Sequence, residues 1–302
     1  MLQFGIDLGG TKTEIIALDS EGNERLRRRA PTPRESYPDI LNTILTLVTD
    51  AASELNEPYT LGLGIPGALS YKTGLVKNAN TTCLIGQDLK GDIERSLKHP
   101  VVIANDADCL ALSEATDGAG AGYDSVFAVI IGTGCGGGWV VNGKVISGPN
   151  AIAGEWGHNP LSWRTDEDGD FPCYCGLTGC QETLLSGSGI RLQAQFETGL
   201  DQSAETWVKA AEAGDPQAQQ VLLHHHKRLA KALAAVINLM DPHAIVLGGG
   251  ASNIESIYRI VPELWGEWVF SDSVETPLLK SQYGDSSGVR GAAWLGRSAY
   301  SK

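Results

Sequence analysis

The alternation of hydrophobic and polar positions divides the chain into short apolar segments and longer stretches of helical spacing. Short segments that end at glycine or polar residues predict strands at residues 3–8, 13–18, 25–32, 61–65, 101–104, 126–131 and 243–247. Apolar positions at helical spacing predict helices at residues 37–55, 107–116, 216–240 and 288–297. Strands that alternate with helices in this way indicate a three-layer α/β fold, which binds its ligands where the strands end.

A unit of strand, glycine turn and strand occurs twice, near residues 3–18 and again near residues 126–146. At 302 residues the chain is also long enough to form two cores of ordinary size. We therefore predict two related α/β domains. The smaller domain comprises residues 1–117 and 285–302, and the larger domain comprises residues 118–284.

Glycine clusters occupy three predicted strand ends, at residues 9–10, 132–138 and 248–250. Because glycine has no Cβ atom, its backbone N–H group can approach a phosphate closely. Asp7 lies just before the first cluster and is a candidate to hold magnesium, directly or through water. A single such loop is equally well explained as a tight hairpin, but three of them favour one bound nucleotide. Their spacing matches neither the P-loop nor the dinucleotide-binding pattern.

Soft metal ligands are closely spaced at four positions, His158, Cys173, Cys175 and Cys180. Three thiolates and one imidazole suit tetrahedral zinc, and four protein ligands would make that zinc structural. The intervening residues 164–169 are polar and cannot build a core, so we expect the metal to order them. The alternative is a loop with three free thiols. The remaining three cysteines lack such spacing and are expected to be small core residues.

The net charge of the chain argues against two classes of binding partner. The formal net charge is -13, so we expect no binding to nucleic acid or to an anionic membrane surface. The chain has no apolar run of about 18 residues that could span a bilayer. Its first residues lack the basic and apolar regions of a signal peptide, so we expect a cytoplasmic location.

Asp106 directly follows the predicted strand at residues 101–104, where an α/β fold presents functional groups. Its carboxylate is either catalytic or the N-cap of the helix that begins at Ala107. Glu155 and Glu182 lie close in sequence to the soft metal ligands. Carboxylates and an amide, without a cluster of arginines, suit a neutral polyol because they accept hydrogen bonds from hydroxyls.

Several longer strings resemble the ROK family of sugar kinases and related repressors, and the resemblance runs from end to end of the chain. The most specific strings are EWGH at residues 155–158 and CYCGLTGCQE at residues 173–182. The others are GIDLGGTKTEIIAL at residues 5–18, GIPG at 64–67, Asn105-Asp106, IGTGCGGG at 131–138 and the glycines at 248–250. The resemblance implies a two-domain, actin-like ATPase fold of the ribonuclease H-like class. It further implies an active site in the interdomain cleft and a homodimer.

The resemblance also implies roles for individual residues. The sugar would be held by Gly67, Asn105, Asp106, Glu155, His158 and Glu182, with Asp106 as the catalytic base. Mg²⁺-ATP would be approached by Asp7, Gly9, Gly10, Thr11, Lys12, Thr133, Gly134 and Gly249. A structural zinc ion would be bound by His158, Cys173, Cys175 and Cys180.

The sugar itself is indicated by the strings at residues 76–82, 153–161 and 284–295, which most resemble bacterial fructokinases that also accept mannose. We therefore expect phosphorylation of fructose to fructose 6-phosphate, with N-acetylglucosamine kinase or glucokinase as alternatives. The repressor branch of the family carries a helix-turn-helix before the first phosphate loop, and only six residues precede Asp7. This favours an enzyme. A catalytically silent sugar-binding module would be expected to lack Asp106 or residues 9–12.

Overall fold

The computed structural model describes residues 1–299, so the last three residues of the predicted smaller domain lie outside the described residues. The strands are β1 Leu2–Leu8, β2 Lys12–Leu18, β3 Glu24–Pro31, β4 Tyr59–Ile65, β5 Ala68–Leu69, β6 Val76–Lys77, β7 Val102–Asn105, β8 Ser125–Ile131, β9 Cys135–Val141, β10 Lys144–Val145, β11 Ala244–Gly248 and β12 Leu278–Lys280. The α-helices are α1 Tyr37–Leu55, α2 Leu89–Leu97, α3 Asp106–Thr116, α4 Glu182–Leu185, α5 Gly187–Thr198, α6 Ala204–Glu212, α7 Pro216–Met240, α8 Ile257–Leu264 and α9 Ser287–Gly296.

The chain forms two compact units. The first contains Met1–Gly122, Gly138–Ala153 and the stretch from Gln282 onward, and the second contains Tyr123–Gly137 and Gly154–Ser281. The predicted boundaries placed residues 138–153 in the larger domain, whereas the structure groups them with the first unit. The reason is close packing, since a Cβ atom at Gly138 would lie 2.5 Å from the carbonyl oxygen of Ala107 in α3.

The sheet of the first unit has the strand order β3-β2-β1-β4-β7. Strand β1 pairs antiparallel with β2 and parallel with β4, and β4 pairs parallel with β7. Alternate side chains of β1, such as Phe4 and Ile6, are fully buried. Helix α1 forms as predicted, because Ser36 caps its first turn and its buried residues recur at helical spacing.

The second five-stranded sheet has the order β10-β9-β8-β11-β12, with β11 parallel to both β8 and β12. The glycine turn predicted at residues 132–138 is shorter in the structure, because β9 begins at Cys135. The glycines within β9 instead allow other parts of the chain to pack closely against the strand. A Cβ atom at Gly137 would lie 2.9 Å from the ring of Trp156. The long helix α7 is confirmed, with Asp215 as N-cap and Pro216 at its start.

Helix α9 packs directly on the backbone of the first sheet. A Cβ atom at Gly5 would lie 2.3 Å from the backbone of α9, and one at Gly62 would lie 1.9 Å from the carbonyl oxygen of Ala292. On its other side, a Cβ atom at Gly291 would lie 1.6 Å from the carbonyl oxygen of Cys109 in α3. These contacts exclude any side chain larger than hydrogen at the three glycines.

A buried carboxylate also joins α3 to the chain that leads into α9. Glu114 is fully buried and accepts hydrogen bonds from the backbone N–H groups of Ala119, Gln282 and Tyr283. Its other contact is the hydroxyl of Ser287, at 2.8 Å. Four donors thus replace the water that this carboxylate would otherwise bind. Among the residues described, no helix is both long and apolar enough to cross a membrane.

Candidate active site

Three parallel strands of the first unit carry polar residues at the same sheet edge. Asp7 of β1 lies in register with Gly64 of β4, and Ile65 of β4 lies in register with Asn105 of β7. Because β1, β4 and β7 run in the same direction, their carboxyl ends meet at one edge. The structure therefore brings together Asp7, Gly67, Asn105 and Asp106, as the sequence predicts for functional groups of an α/β fold.

The carboxyl group of Asp7 is held in an environment that disfavours its charge. Burial, and then the nearby carboxylates of Asp106 and Glu14, raise the pKa of Asp7 from 3.8 to about 6, against the opposing charge of Lys12. A Cβ atom at Gly288 would lie 3.3 Å from Asp7 Oδ2, so the start of α9 also borders this carboxylate. A cation bound beside Asp7 and Asp106 would relieve this repulsion.

The N-cap of α3 is Asn105, and Asp106 is the first residue of the helix. Asn105 has an extended backbone, and its Oδ1 atom accepts a hydrogen bond from the backbone N–H of Ala107 at 2.8 Å. This corrects the interpretation of Asp106 as the cap, although Asp106 Oδ1 also accepts from Ala107 N–H at 2.8 Å. Asn105 Nδ2 donates to the carbonyl oxygen of Gly67 at 3.2 Å, which fixes the loop after β4.

The first glycine loop is a tight connection between β1 and β2. The N–H of Gly9 donates to the carbonyl oxygen of Lys12 at 3.0 Å, and the hydroxyl of Thr32 donates to the carbonyl oxygen of Gly9 at 2.8 Å. Gly10 and Thr11 at the tip are exposed, and a Cβ atom at Gly10 would meet nothing within 4 Å. The loop thus leaves the space beside Gly10 open to a ligand.

The second glycine loop joins β8 to β9 and is held by residues that follow the cysteine cluster. The N–H of Cys135 donates to Glu182 Oε2 at 3.0 Å, and the hydroxyl of Ser188 donates to the carbonyl oxygen of Thr133 at 3.1 Å. A Cβ atom at Gly134 would lie 2.7 Å from Glu182 Oε2. Glu182, expected only as a sugar contact, therefore also positions the Thr133–Gly134 loop.

Gly249 lies beside the second loop. It follows β11, which is paired with β8, and has a backbone φ of 78°. A Cβ atom there would lie 2.6 Å from the carbonyl oxygen of Ile131, the last residue of β8. Glycine is required both by the positive φ and by this close approach. The second and third glycine clusters therefore lie at the ends of neighbouring parallel strands.

The string EWGH is docked on β9 through its two middle residues. Trp156 Nε1 donates to the carbonyl oxygen of Gly136 at 2.8 Å, and its ring meets Phe127 edge to face. A Cβ atom at Gly157 would lie 1.9 Å from the carbonyl oxygen of Cys135. Glu155 stays exposed and His158 is partly exposed. The buried tryptophan and glycine thus fix the turn that carries the two candidate site residues, Glu155 and His158.

The four soft ligands converge as predicted. The Nδ1 atom of His158 and the Sγ atoms of Cys173, Cys175 and Cys180 all lie within 4.8 Å of one another. The separations Cys173 Sγ to His158 Nδ1 and Cys175 Sγ to Cys180 Sγ are both 3.6 Å. Tetrahedral zinc with bonds of about 2.3 Å to sulfur and about 2.0 Å to nitrogen would separate its ligand atoms by about 3.5–3.8 Å. The donor set and its spacing fit zinc.

Tyr174, which the sequence did not single out, contacts the second nitrogen of His158. Its hydroxyl lies 3.1 Å from His158 Nε2, and the two rings meet edge to face. With Nδ1 directed at the thiols, Nε2 would carry the proton and donate to this hydroxyl. The family resemblance implies that His158 also contacts the sugar, and Nε2 is the nitrogen that the thiols leave for this contact. A sugar would therefore have to displace or share the contact with Tyr174.

The predicted residues therefore divide into two sets, one in each unit. The first unit brings together Asp7, Gly9, Gly10, Thr11, Lys12, Gly67, Asn105 and Asp106. The second unit carries Thr133, Gly134, Glu155, His158, Cys173, Cys175, Cys180, Glu182 and Gly249. The contacts of Tyr174 and of Trp156 and Gly157 were not predicted, although these residues lie inside the strings CYCGLTGCQE and EWGH.

Comparison with known proteins identifies the family. The model of the ROK family matches residues 3–299. The chain belongs to the ROK family. An N-acetyl-D-glucosamine kinase of Pectobacterium atrosepticum is 37% identical over 299 residues, which cover 97% of this chain and 98% of that protein.

Solved ROK structures share the fold. The ROK hexokinase from Thermus thermophilus has a TM-score of 0.88 at 29% identity, and the match covers 99% of each chain. A ROK glucokinase from Streptomyces griseus, in complex with glucose and AMPPNP, has a TM-score of 0.78 at 29% identity and is covered over 100% of its length, against 99% of this chain. The two-domain, actin-like α/β fold that the ROK resemblance implied is thus confirmed.

The raised pKa of Asp7 predicts a pH-dependent stability. Between about pH 4 and pH 6, Asp7 stays protonated in the folded chain but is ionised in the unfolded chain. The free energy of unfolding therefore falls as pH rises. Asp7→Asn removes the titrating group and therefore this fall in the free energy of unfolding. In thermal denaturation without nucleotide or magnesium, the stability gained by Asp7→Asn should grow from pH 4 to about pH 6 and then level off, at no more than about 3 kcal/mol.

The control is Asp50→Asn, which changes an exposed carboxylate of α1 in the same unit. Its stability difference from the wild type should stay flat over the same pH range. A flat profile for Asp7→Asn as well would contradict the inferred environment of Asp7.

Proposed function

We propose that this chain is an ATP-dependent sugar kinase whose substrate is N-acetyl-D-glucosamine. The kinase assignment is supported by the meeting of Asp7 and Asp106 at one sheet edge, next to an open glycine loop. The sugar is supported by the 37% identity to an N-acetyl-D-glucosamine kinase along nearly the whole of both chains. Fructose, the first expectation from sequence, is less well supported than this alternative.

Asp106 is the proposed catalytic base. It is the first residue of α3, at the edge where β1, β4 and β7 end. Its carboxylate would orient the attacking sugar hydroxyl and accept its proton as the bond to phosphorus forms. Because phosphoryl transfer has a loose transition state, that proton leaves late, and alignment of the hydroxyl supplies much of the rate. Asn105 supports this geometry by capping the same helix turn.

The phosphates of ATP are proposed to lie along the glycine loops. Exposed Gly10 and Thr11 offer backbone N–H groups, and Lys12 offers a positive charge. Thr133, Gly134 and Gly249 would form the equivalent surface of the second unit. Magnesium, held by Asp7 directly or through water, would neutralise charge on the transferred phosphoryl group. A bound cation would also lower the pKa of Asp7, because a nearby positive charge favours the carboxylate.

The side chains proposed to bind the sugar also make or depend on contacts within the protein. Glu155 and His158 lie at either end of a turn docked on β9, so their positions follow from the buried Trp156 and Gly157. Glu182 would accept from a sugar hydroxyl while its Oε2 atom holds the N–H of Cys135. Through that contact, a sugar bound at Glu182 would also tighten the loop proposed for ATP.

A structural zinc ion is proposed for the cluster of His158 and the three cysteines. Zinc would crosslink the turn at His158 to the strand-like hairpin around Cys173 and Cys180. With all four positions filled by protein, no water would be activated there. The proposal also includes Mg²⁺-ATP and the sugar as the molecules bound by this chain.

A coupled assay of ADP release tests the substrate. N-acetyl-D-glucosamine, glucose, fructose and mannose would be compared at equal concentrations of Mg²⁺-ATP. We expect kcat/KM for N-acetyl-D-glucosamine to exceed the others by at least about tenfold, since a site that pairs with a polar substituent rejects analogues that lack it. A higher kcat/KM for fructose would restore the first sequence expectation, and no ADP release with any sugar would contradict the kinase proposal.

Replacing Asp106 tests the catalytic base. Asp106→Asn keeps the size of the side chain and removes its ability to accept a proton, so kcat should fall by about 10²–10⁴-fold. The KM for sugar should change little, because the amide still hydrogen-bonds a hydroxyl. Asp50→Asn is the control for loss of one negative charge. Turnover near that of the wild type in Asp106→Asn would exclude Asp106 as the base.

Elemental analysis tests the zinc site. The purified chain should contain about one zinc per chain, and Cys175→Ser should lower that content after dialysis against a weak chelator. Cys83→Ser is the matched control, because Cys83 lies outside the cluster and contacts the carbonyl oxygen of Arg34. Active protein without metal, or equal zinc content in the two variants, would refute the assignment.

A further inference from the structure

The polar segment between His158 and Cys173 is anchored by buried ion pairs. Asp168 is buried, and its Oδ1 atom lies 3.0 Å from Arg228 Nε. Its Oδ2 atom lies 3.0 Å from Lys231 Nζ. Arg228 and Lys231 lie one turn apart on α7 and are themselves buried. The carboxylate of Asp168 therefore lies between two cationic side chains of α7, the longest helix among the described residues.

Backbone contacts extend this anchor. The carbonyl oxygen of Asp168 accepts from Gln193 Nε2 of α5 at 2.6 Å, and that of Glu167 accepts from Arg228 Nη2 at 3.3 Å. The N–H of Thr165 donates back to Asp168 Oδ2 at 2.9 Å, closing a short helical turn. The segment is thus fixed on α5 and α7 by side chain and backbone together.

The charges of this cluster balance. Glu197 of α5 lies 2.6 Å from Arg228, so two carboxylates face two cations. Burial alone would raise the pKa of Asp168, but the Thr165 N–H and the charges of Lys231 and Arg228 outweigh it and lower that pKa. Removing Asp168 would leave a buried cation without its partner, which is strongly unfavourable. By contrast, the Arg164–Asp170 pair of the same segment is largely exposed and stabilises little.

This arrangement changes the role given to the metal. The polar composition of residues 164–169 led us to expect that zinc orders them, yet Asp168 forms ion pairs with α7 that involve no metal ligand. The ends of the segment, His158 and Cys173, are the residues that would bind the metal. One end of the segment also carries the proposed sugar contacts Glu155 and His158. A fixed middle therefore limits how far either end can move.

We propose that Asp168 is a positioning residue that fixes residues 165–169 on α7 independently of the metal and, together with the docking of Trp156 and Gly157, limits the movement of His158. The part of this proposal that concerns sugar binding rests on the proposed kinase function. The part that concerns the order of the segment does not. The two parts are tested by separate measurements, so that failure of one is distinguishable from failure of the other.

Hydrogen–deuterium exchange tests the anchor without using activity. The wild type, Asp168→Asn and the control Asp170→Asn would each be measured zinc-loaded and after removal of metal by a chelator under reducing conditions. In the wild type and in Asp170→Asn, metal removal should speed exchange at residues 173–180 but leave residues 165–169 protected. In Asp168→Asn, residues 165–169 should exchange at least about tenfold faster in both metal states.

Two outcomes of this measurement would overturn the proposal. One is loss of protection at residues 165–169 in the wild type on metal removal alone, which would make the metal their source of order. The other is equal protection in Asp168→Asn and Asp170→Asn. If Asp168→Asn does not fold, Lys231→Met replaces it, since this change removes one cation and keeps the Asp168–Arg228 pair. Lys231→Met should then show a partial loss of protection, and none would count against the anchor.

Steady-state kinetics tests the positioning of His158. Asp168→Asn should raise the KM for the preferred sugar about tenfold, with the KM for ATP and kcat changed by less than about twofold. A purely structural defect would lower the active fraction, and hence apparent kcat, without changing either KM. That second pattern would overturn the positioning role. If the wild type phosphorylates no sugar, the kinase proposal fails while the exchange measurement still decides the anchor.

Discussion

The first unit depends on contact between backbones that no side chain separates. Gly5 and Gly62 admit α9 onto β1 and β4, and Gly291 admits the carbonyl oxygen of Cys109 from α3. Because these layers touch through backbone atoms, their spacing cannot adjust as it would through flexible side chains. Asp7 is the penultimate residue of strand β1, and helix α3 begins with Asp106. The separation of the two carboxylates therefore follows from these glycine contacts, and Glu114 holds α3 to the chain that leads into α9.

In the second unit, hydrogen bonds and ion pairs hold the corresponding segments in place. Its functional turn is docked by Trp156 and Gly157, its glycine loop by Glu182, and its polar segment by the ion pairs of Asp168. This explains how a stretch rich in glycine, cysteine and charged residues can present Glu155 and His158 in defined positions. A metal bound by the four soft ligands would add a further crosslink to an arrangement that already has others.

The sequence predicted α1, α3, α7 and α9 but not α2, α4, α5, α6 and α8. The elements that it predicted carry local signals, such as the apolar runs of β1, β8 and β11 and the caps of α1 and α7. It also predicted the ligand cluster of His158 and the cysteines, since their spacing is short. It did not predict the contacts made by distant residues. Asn105 replaced Asp106 as the cap because the two are adjacent and both are suited to it. The pairing of Asp168 with Arg228 and Lys231 spans some 60 positions, and no local pattern carries that information.

The position of α9 in the chain has a consequence for biosynthesis. Residues 287–296 complete the core of the first unit, yet they are translated after all the other α-helices described. Until α9 has been translated, β1 and β4 lack the helix that packs on Gly5 and Gly62. The strands and helices up to Ser281 are translated earlier, so the second unit can form its core while the first still waits. The nascent chain thus carries β1 and β4 without this packing partner until α9 has been translated.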